Sequence, residues 1–278
     1  MTVHKTINIK GTLLDLATPK VMGIINVTPD SFYKGSRQQH LDEILASANR
    51  MLEEGATFLD IGGYSSRPGA KDISIQEEMD RVIRPIELIA KNFPQAIISI
   101  DTFRSEVART AIQSGAHIVN DISAGLLDDQ MLDTIGELSV PYIAMHMKGT
   151  PQNMKEKAEY DDLTKDIAFY FSERIAAAKA AGVKDLILDP GFGFAKTVEH
   201  NFRLLNQLEY LSNLGFPMLV GVSRKSMIYR SLNIDPEDAL NGTTVLNTVA
   251  LQKGAAILRV HDVKEAVQAV ELINLLKS

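Results

Sequence analysis

A closed parallel α/β barrel is the fold that three observations predict for this chain of 278 residues. Eight short apolar runs recur along it, each run ends in polar residues, and stretches of helical period separate them, which is the alternation of βα units. The length suits one domain over residues 1–278, and a hydrophobic content of 45% supplies a substantial core.

Taken in order, residues 6–16 read as a hairpin turning at Gly11-Thr12 and capping the bottom of the barrel. Barrel strands are predicted at 21–26, 58–63, 96–102, 117–122, 141–146, 186–191, 217–223 and 256–262. They read as near-continuous apolar segments without alternation, as strands covered on both faces require. Between them, sets such as Leu41, Ile44, Leu45, Ala48, Met51 and Leu52, or Met79, Val82, Ile83, Ile86 and Ile89, repeat at helical spacing. Ala266, Val267, Val270, Ile273 and Leu276 do the same at the end. Gly55, Gly115, Gly182, Gly215 and Gly254 each close a helical stretch ahead of a strand, where a left-handed residue ends a helix. The longest irregular connections, 28–39, 64–74 and 147–161, all follow strand ends, the face on which such barrels build their sites. The prediction is therefore a (β/α)8 TIM barrel with an N-terminal β-hairpin cap.

Composition narrows the function. The absence of cysteine excludes disulfides, thiolate catalysis and thiolate metal sites. No apolar run approaches the ~18 residues of a membrane helix, and residues 1–8 lack a stretch of signal-peptide length. A net charge of −6 argues against a nucleic-acid surface, so any anion site must be local. A cytoplasmic enzyme acting on small molecules, with neither nucleic acid nor membrane as partner, is expected.

The strand ends supply Asn26, Asp60, Asp101, Asn120, Asp121, His146, Asp189, Ser223 with Arg224 and Lys225, and Arg259 with His261. Any one of them reads equally well as a capping or solvated loop residue; the weight lies in the set. Asp101 and Asp189 end apolar runs with Asn120 between, and carboxylates at the rim of a buried pocket suit a nitrogen heterocycle bearing an amino group beside ring N–H. Asp101 reads as well as the cap of a helix opening at 102–105. Arg259 and His261, two apart, share one face of the last strand, with Val260 on the other. With Arg67 and Lys225 they favour a small anion such as phosphate over a solvated basic rim. The segment Gly191 to Thr197 hints at a phosphate loop but lacks a Gly directly before Lys196 and is one residue short. Six histidines show no metal-type pair at helical spacing, so no dedicated zinc site is expected.

In order, the chain carries Met22-Gly23-Ile24-Ile25-Asn26-Val27-Thr28-Pro29-Asp30-Ser31-Phe32, Asp60-Ile61-Gly62-Gly63 with Arg67-Pro68-Gly69, and Ser99-Ile100-Asp101-Thr102. Asn120-Asp121-Ile122, Met145-His146-Met147 with Gly149-Thr150-Pro151, and Asp189-Pro190-Gly191-Phe192-Gly193-Phe194 follow. Gly221-Val222-Ser223-Arg224-Lys225-Ser226 and Arg259-Val260-His261-Asp262 complete the set. Through these motifs it resembles the single-function bacterial dihydropteroate synthases over nearly its whole length.

The resemblance implies condensation of 6-hydroxymethyl-7,8-dihydropterin diphosphate with p-aminobenzoate, giving 7,8-dihydropteroate and pyrophosphate in folate biosynthesis by a dissociative, SN1-like route. It implies pterin recognition by Asp101, Asn120 and Asp189, a slot shaped by Ile122, Met145, Phe194 and Gly221, Lys225 on the opposite wall and the Arg259 guanidinium against the ring. Asp101, Asp189, Lys225 and Arg259 would carry catalysis. Asn26, Arg259 and His261 would hold the diphosphate with Mg²⁺, Asn26 being the metal residue. Phe32, Ser66, Arg67, Pro68, Lys225 and Ser226 would form the pocket for p-aminobenzoate, which sulfonamides mimic, and Asp30 and Arg67 would close the first two loops over it. A homodimer through outer helices is implied. Tyr64 and Ser66 stand where the family commonly has Glu and Thr, Ala195 stands for a Gly, and residues 33–37 differ in composition. Two other readings share the slot: a methyltetrahydrofolate–corrinoid methyltransferase, which needs neither the diphosphate cradle nor the amine pocket, and a pterin-binding protein without turnover.

Overall fold

All eight predicted strands form in the computed structural model, which describes residues 5–27, 37–66 and 71–276. After the hairpin β1 (Thr6–Ile9) and β2 (Thr12–Asp15) come β3 (Lys20–Asn26), β4 (Phe58–Gly62), β5 (Ile97–Asp101) and β6 (Ile118–Asp121). β7 (Tyr142–Met145), β8 (Leu186–Asp189), β9 (Leu219–Val220) and β10 (Ile257–Val260) complete the ring. The strands pair in parallel in the order β8-β7-β6-β5-β4-β3-β10-β9, and a Leu188–Met218 bridge brings the two ends together. β9 is shorter than the predicted 217–223: Pro217 has no N–H for the ladder, and past Val220 the chain turns into the next loop.

Helices lie outside: α1 (Arg37–Glu53), α2 (Ile75–Asn92), α3 (Ser105–Gln113), α4 (Met131–Leu138) and α5 (Leu163–Ala180). The second half adds α6 (Val198–Asn206), α7 (Leu208–Ser212), α8 (Ser226–Leu232), α9 (Leu240–Gln252) and α10 (Val263–Leu275). The five glycines expected at helix ends all have positive φ, between 81° and 119°. Two predicted loops are more ordered than expected: α1 starts at Arg37, and a 3₁₀ turn, Met154–Lys157, interrupts 147–161. No helix among the described residues is long and apolar enough to cross a membrane.

Alternation along each strand builds the barrel in layers. Outward Val21, Leu59, Ile98, Val119, Tyr142, Leu188, Val220 and Leu258 pack beneath the helices. Inward Met22, Phe58, Ile118, Ile143, Ile187, Leu219 and Ile257 fill the bottom of the lumen together with Ile7 and Leu16 of the hairpin. Both faces are buried, so the runs carry no apolar–polar alternation. Two residues further along the same inward faces, chemistry changes to Asp60, Asn120, Asp189 and Arg259.

The hairpin is thus a plug, as expected, but it turns one residue earlier than predicted, on Lys10 (φ 48°) and Gly11 (φ 87°), because a two-residue turn of this hand needs positive φ at both centres. Ile7, 1% exposed, is its anchor. Ile7→Ala is expected to lower unfolding free energy by about 2–5 kcal/mol, the range for emptying a buried site of this size. Urea unfolding measures it; a loss well below 1 kcal/mol would mean that the hairpin merely rests on the barrel.

Candidate active site

The polar layer converges on Arg259, held at the mouth of the barrel between two carboxylates. Its Nε donates to Asp60 Oδ2 at 2.6 Å and its terminal nitrogen to Asp101 Oδ2 at 2.7 Å. Asp60, fully buried on β4, also accepts from the Asn120 side-chain amide at 3.1 Å. Burial opposes the Arg259 charge, but Asp60 and Asp101 outweigh it and raise its pKa. One guanidinium serves two carboxylates, so the cluster has surplus negative charge: burial pushes Asp101 up to about 7, Arg259 pulls it down, and Asp60 adds to the rise.

Asp189 ends β8 across the mouth. Its Oδ1 accepts from Gly191 N–H at 2.8 Å; burial raises its pKa, against the pull of Lys225 first among its neighbours. Lys225 donates to the Phe192 carbonyl and sits 4.9 Å from the Phe194 ring centre, which forms the opposite wall. Burial lowers Lys225 to about 8, although Asp189 favours its charge. Ile122 and Met145 pack with Phe194, Met147, Met154 and Ala195 as an apolar side of the slot. At Gly221 a Cβ would stand 3.8 Å from that of Arg259, so a glycine keeps this side open. Three carboxylates, an amide, two cations and an apolar wall can grip a flat, polar-edged heterocycle.

Other strand ends have different duties. Asp101 does not cap α3, whose cap position is Arg104 with no side-chain bond; the carboxylate is committed to Arg259. Asp121 points outward, accepting from Tyr142 Oη at 2.6 Å and from Ser123 and Gly125 N–H at 2.7 Å each. Arg224 forms a two-pronged pair with Asp262 at 2.9 and 2.8 Å, tying the ends of β9 and β10. Of the cations expected to take a small anion, Arg259 is paired with two carboxylates, whereas His261, exposed, approaches Ser223 Oγ through Nδ1 at 3.1 Å. Asn26 ends β3 opposite Gly62, and Ser226 opens α8 beside Lys225. Ser66 is half-buried; Asp30, Phe32, Arg67 and Pro68 lie outside the described residues.

Asp60 was visible in sequence only as one strand end among many; its position two residues beyond inward Phe58 was the available signal. Tyr64 meets Phe103 edge-on at 5.0 Å and accepts from Gln152 at 3.0 Å. Among the described residues no cluster of His, Asp or Glu could enclose a metal by itself.

A family profile described as pterin binding enzyme matches residues 22–261. Dihydropteroate synthase of Escherichia coli (strain K12) is 45% identical over 267 residues, covering 95% of this chain and 94% of that one. The Yersinia pestis dihydropteroate synthase, solved with a sulfonamide drug complex, superimposes with a TM-score of 0.92 at 43% identity, covering 98% and 99% of the two chains. The Xanthomonas albilineans dihydropteroate synthase, solved with 4-aminobenzoic acid, gives a TM-score of 0.92 at 39% identity over 99% and 98%.

A carboxyl whose pKa is raised from 3.8 to about 7 on folding stabilises the fold fully below about pH 4 and loses that contribution as pH rises through 7. The Asp101 side-chain ¹³C signal is accordingly expected to titrate near pH 7 in the unliganded protein. Arg259→Met should move it higher by removing the shared cation; a midpoint near 4 would contradict the charge imbalance.

Proposed function

The chain belongs to the pterin-binding enzyme family, with the dihydropteroate synthases, and from that premise we propose that it joins 6-hydroxymethyl-7,8-dihydropterin diphosphate to p-aminobenzoate, making 7,8-dihydropteroate and pyrophosphate for folate biosynthesis. It is a transferase on small-molecule substrates. The observation that carries the reading is the meeting of Asp101, Asn120, Asp189, Lys225 and Arg259, from five separate strand ends, in one mouth above a sealed apolar floor.

In this reading Asp101, Asn120 and Asp189 take the N–H edge of the pterin, while Ile122, Met145, Phe194 and Gly221 would shape the slot for its ring. Arg259, already fixed by Asp60, offers its guanidinium face to the ring. The methylene C–O bond breaks first, its electron pair leaving with pyrophosphate; the surplus negative charge of the Asp60–Asp101–Arg259 cluster and of Asp189 favours the cation left behind. The aromatic amine then bonds to the methylene and loses its proton. In the same reading Lys225 and Ser226 would take the carboxylate of p-aminobenzoate together with Ser66, Arg67, Pro68 and Phe32, and Asp30 and Arg67 would close the first two loops. No covalent enzyme intermediate is needed, because orientation and fixed charge supply the rate.

Asn26, Arg259 and His261 face the leaving group in this arrangement. Asn26 offers one hard oxygen, which fits a Mg²⁺ that draws most of its ligands from a diphosphate. Bound there, the ion would neutralise charge on departing pyrophosphate. We further read residues 1–278 as one domain, since the last barrel strand pairs with the first. A cytoplasmic homodimer joined through outer helices is part of the same proposal.

Incubation with both substrates and Mg²⁺ tests the proposal by pyrophosphate release and dihydropteroate formation; neither product appearing would reject it. Asp189→Ala is expected to abolish detectable turnover, and Arg67→Ala chiefly to raise KM for p-aminobenzoate. Since Lys225 deprotonates at about 8, kcat/KM for p-aminobenzoate should fall on an alkaline limb of that pKa. Lys225→Met should be uniformly slow without the limb; a limb surviving in it would assign the titration elsewhere.

A further inference from the structure

We infer that Lys196 is a positioning residue for the pterin slot: its ammonium fastens the loop after β8 so that Gly191 holds Asp189 and Phe194 faces Lys225. The inference rests on the pterin reading of that slot and gives a task to a buried cation that the reading leaves unused.

Three residues of this loop, Gly191 (φ 69°), Gly193 (φ 88°) and Ala195 (φ 47°), are left-handed. At Gly191 a Cβ would collide with the His146 carbonyl oxygen, and Ala195 carries a Cβ on a left-handed backbone that is strained for it. Such a loop needs ties, and they converge on one side chain. Lys196 Nζ lies 2.9 Å from the Gly191 carbonyl, 3.0 Å from that of Phe194 and 2.9 Å from His146 Nδ1. Around it, Tyr160 donates to the Ala195 carbonyl at 2.9 Å and Gly193 N–H donates to Asn201 Oδ1 at 2.7 Å.

Three acceptors match the three protons of an ammonium. His146 must then be neutral with Nδ1 bare, which its burial and the adjacent Lys196 both favour. Burial lowers the Lys196 pKa well below its usual value, with Asp189 opposing that fall, so it is the three surrounding acceptors that favour the ammonium. The same Gly191 whose carbonyl Lys196 binds gives its N–H to Asp189, so the ammonium acts on the carboxylate through one residue and through space. The charged groups facing Asp189 are Lys225, Arg259 and Lys196; those facing Lys196 besides Asp189 are Lys225 and Lys148, with His146 as its ring partner.

The test compares wild type, Lys196→Met and Lys196→Arg. Calorimetry with 6-hydroxymethyl-7,8-dihydropterin diphosphate and Mg²⁺ should show Lys196→Met binding roughly ten- to hundredfold more weakly, the scale of one lost charged hydrogen bond. Its KM for p-aminobenzoate should change less than about threefold, and the acid limb of pterin binding should move to higher pH, because Asp189 has lost a cation. Lys196→Arg should restore the limb. A Lys196→Met protein that melts earlier yet keeps wild-type affinity and limb would reduce Lys196 to structure and overturn the inference; wild type failing to bind the pterin would instead overturn the reading beneath it. If Lys196→Met does not fold, ¹⁵N spectra of the wild-type imidazoles decide. His146 with an unprotonated Nδ1 from pH 5 to 8 supports the ammonium tie, and a proton on Nδ1 refutes it.

Discussion

A guanidinium suspended between two carboxylates at the barrel mouth is the constraint on which this molecule turns. Arg259 lies 199 residues from Asp60 and 158 from Asp101, so the pairings exist only when β10, β4 and β5 take their places in a closed ring. An exposed ion pair contributes 0–1 kcal/mol at most, but removing one partner of a buried pair typically costs about 3–5 kcal/mol, because the remaining charge is stranded out of water. Asp60 is wholly buried, and Arg259 is mostly so. The cluster therefore ties site geometry to ring closure, and its excess of carboxylate over cation prepares the mouth for a positively charged neighbour.

Everything below the cluster keeps water from it. The plug of Ile7 and Leu16 and the inward layer from Met22 to Ile257 close the lumen from beneath. That layer lowers the local dielectric, which strengthens the Arg259 pairings and makes each carboxylate costlier to ionise, as the raised pKa of Asp101 and of Asp189 records. Stability and chemistry are arranged along one axis.

Direction, more than residue type, separates the polar strand ends. Asn120 and Asp121 are consecutive, yet one faces the lumen and holds Asp60 while the other faces the helices and binds Tyr142. Arg224 and Lys225 are also consecutive; one is consumed by Asp262 and the other looks into the slot. In β6 the two-residue period of a strand makes this assignment once register is known, whereas Arg224 and Lys225 lie past β9, where the chain turns at a left-handed Arg224 (φ 52°).

The order of βα units, the hairpin, the glycine helix ends and the face bearing the site were all legible in the sequence, because each depends on contacts or dihedrals within a few residues. Asp101, Asn120, Asp189, Lys225 and Arg259 could be nominated there as well, since each ends or follows an apolar run. Their wiring could not. That Asp101 pairs with Arg259 instead of capping α3, that Asp60 rather than solvent fixes the arginine, and that Lys196 is enclosed by two carbonyls and His146 are matters of which distant strand ends share a ring. Local periodicity says which way a side chain points; only closure of the barrel decides what it meets there.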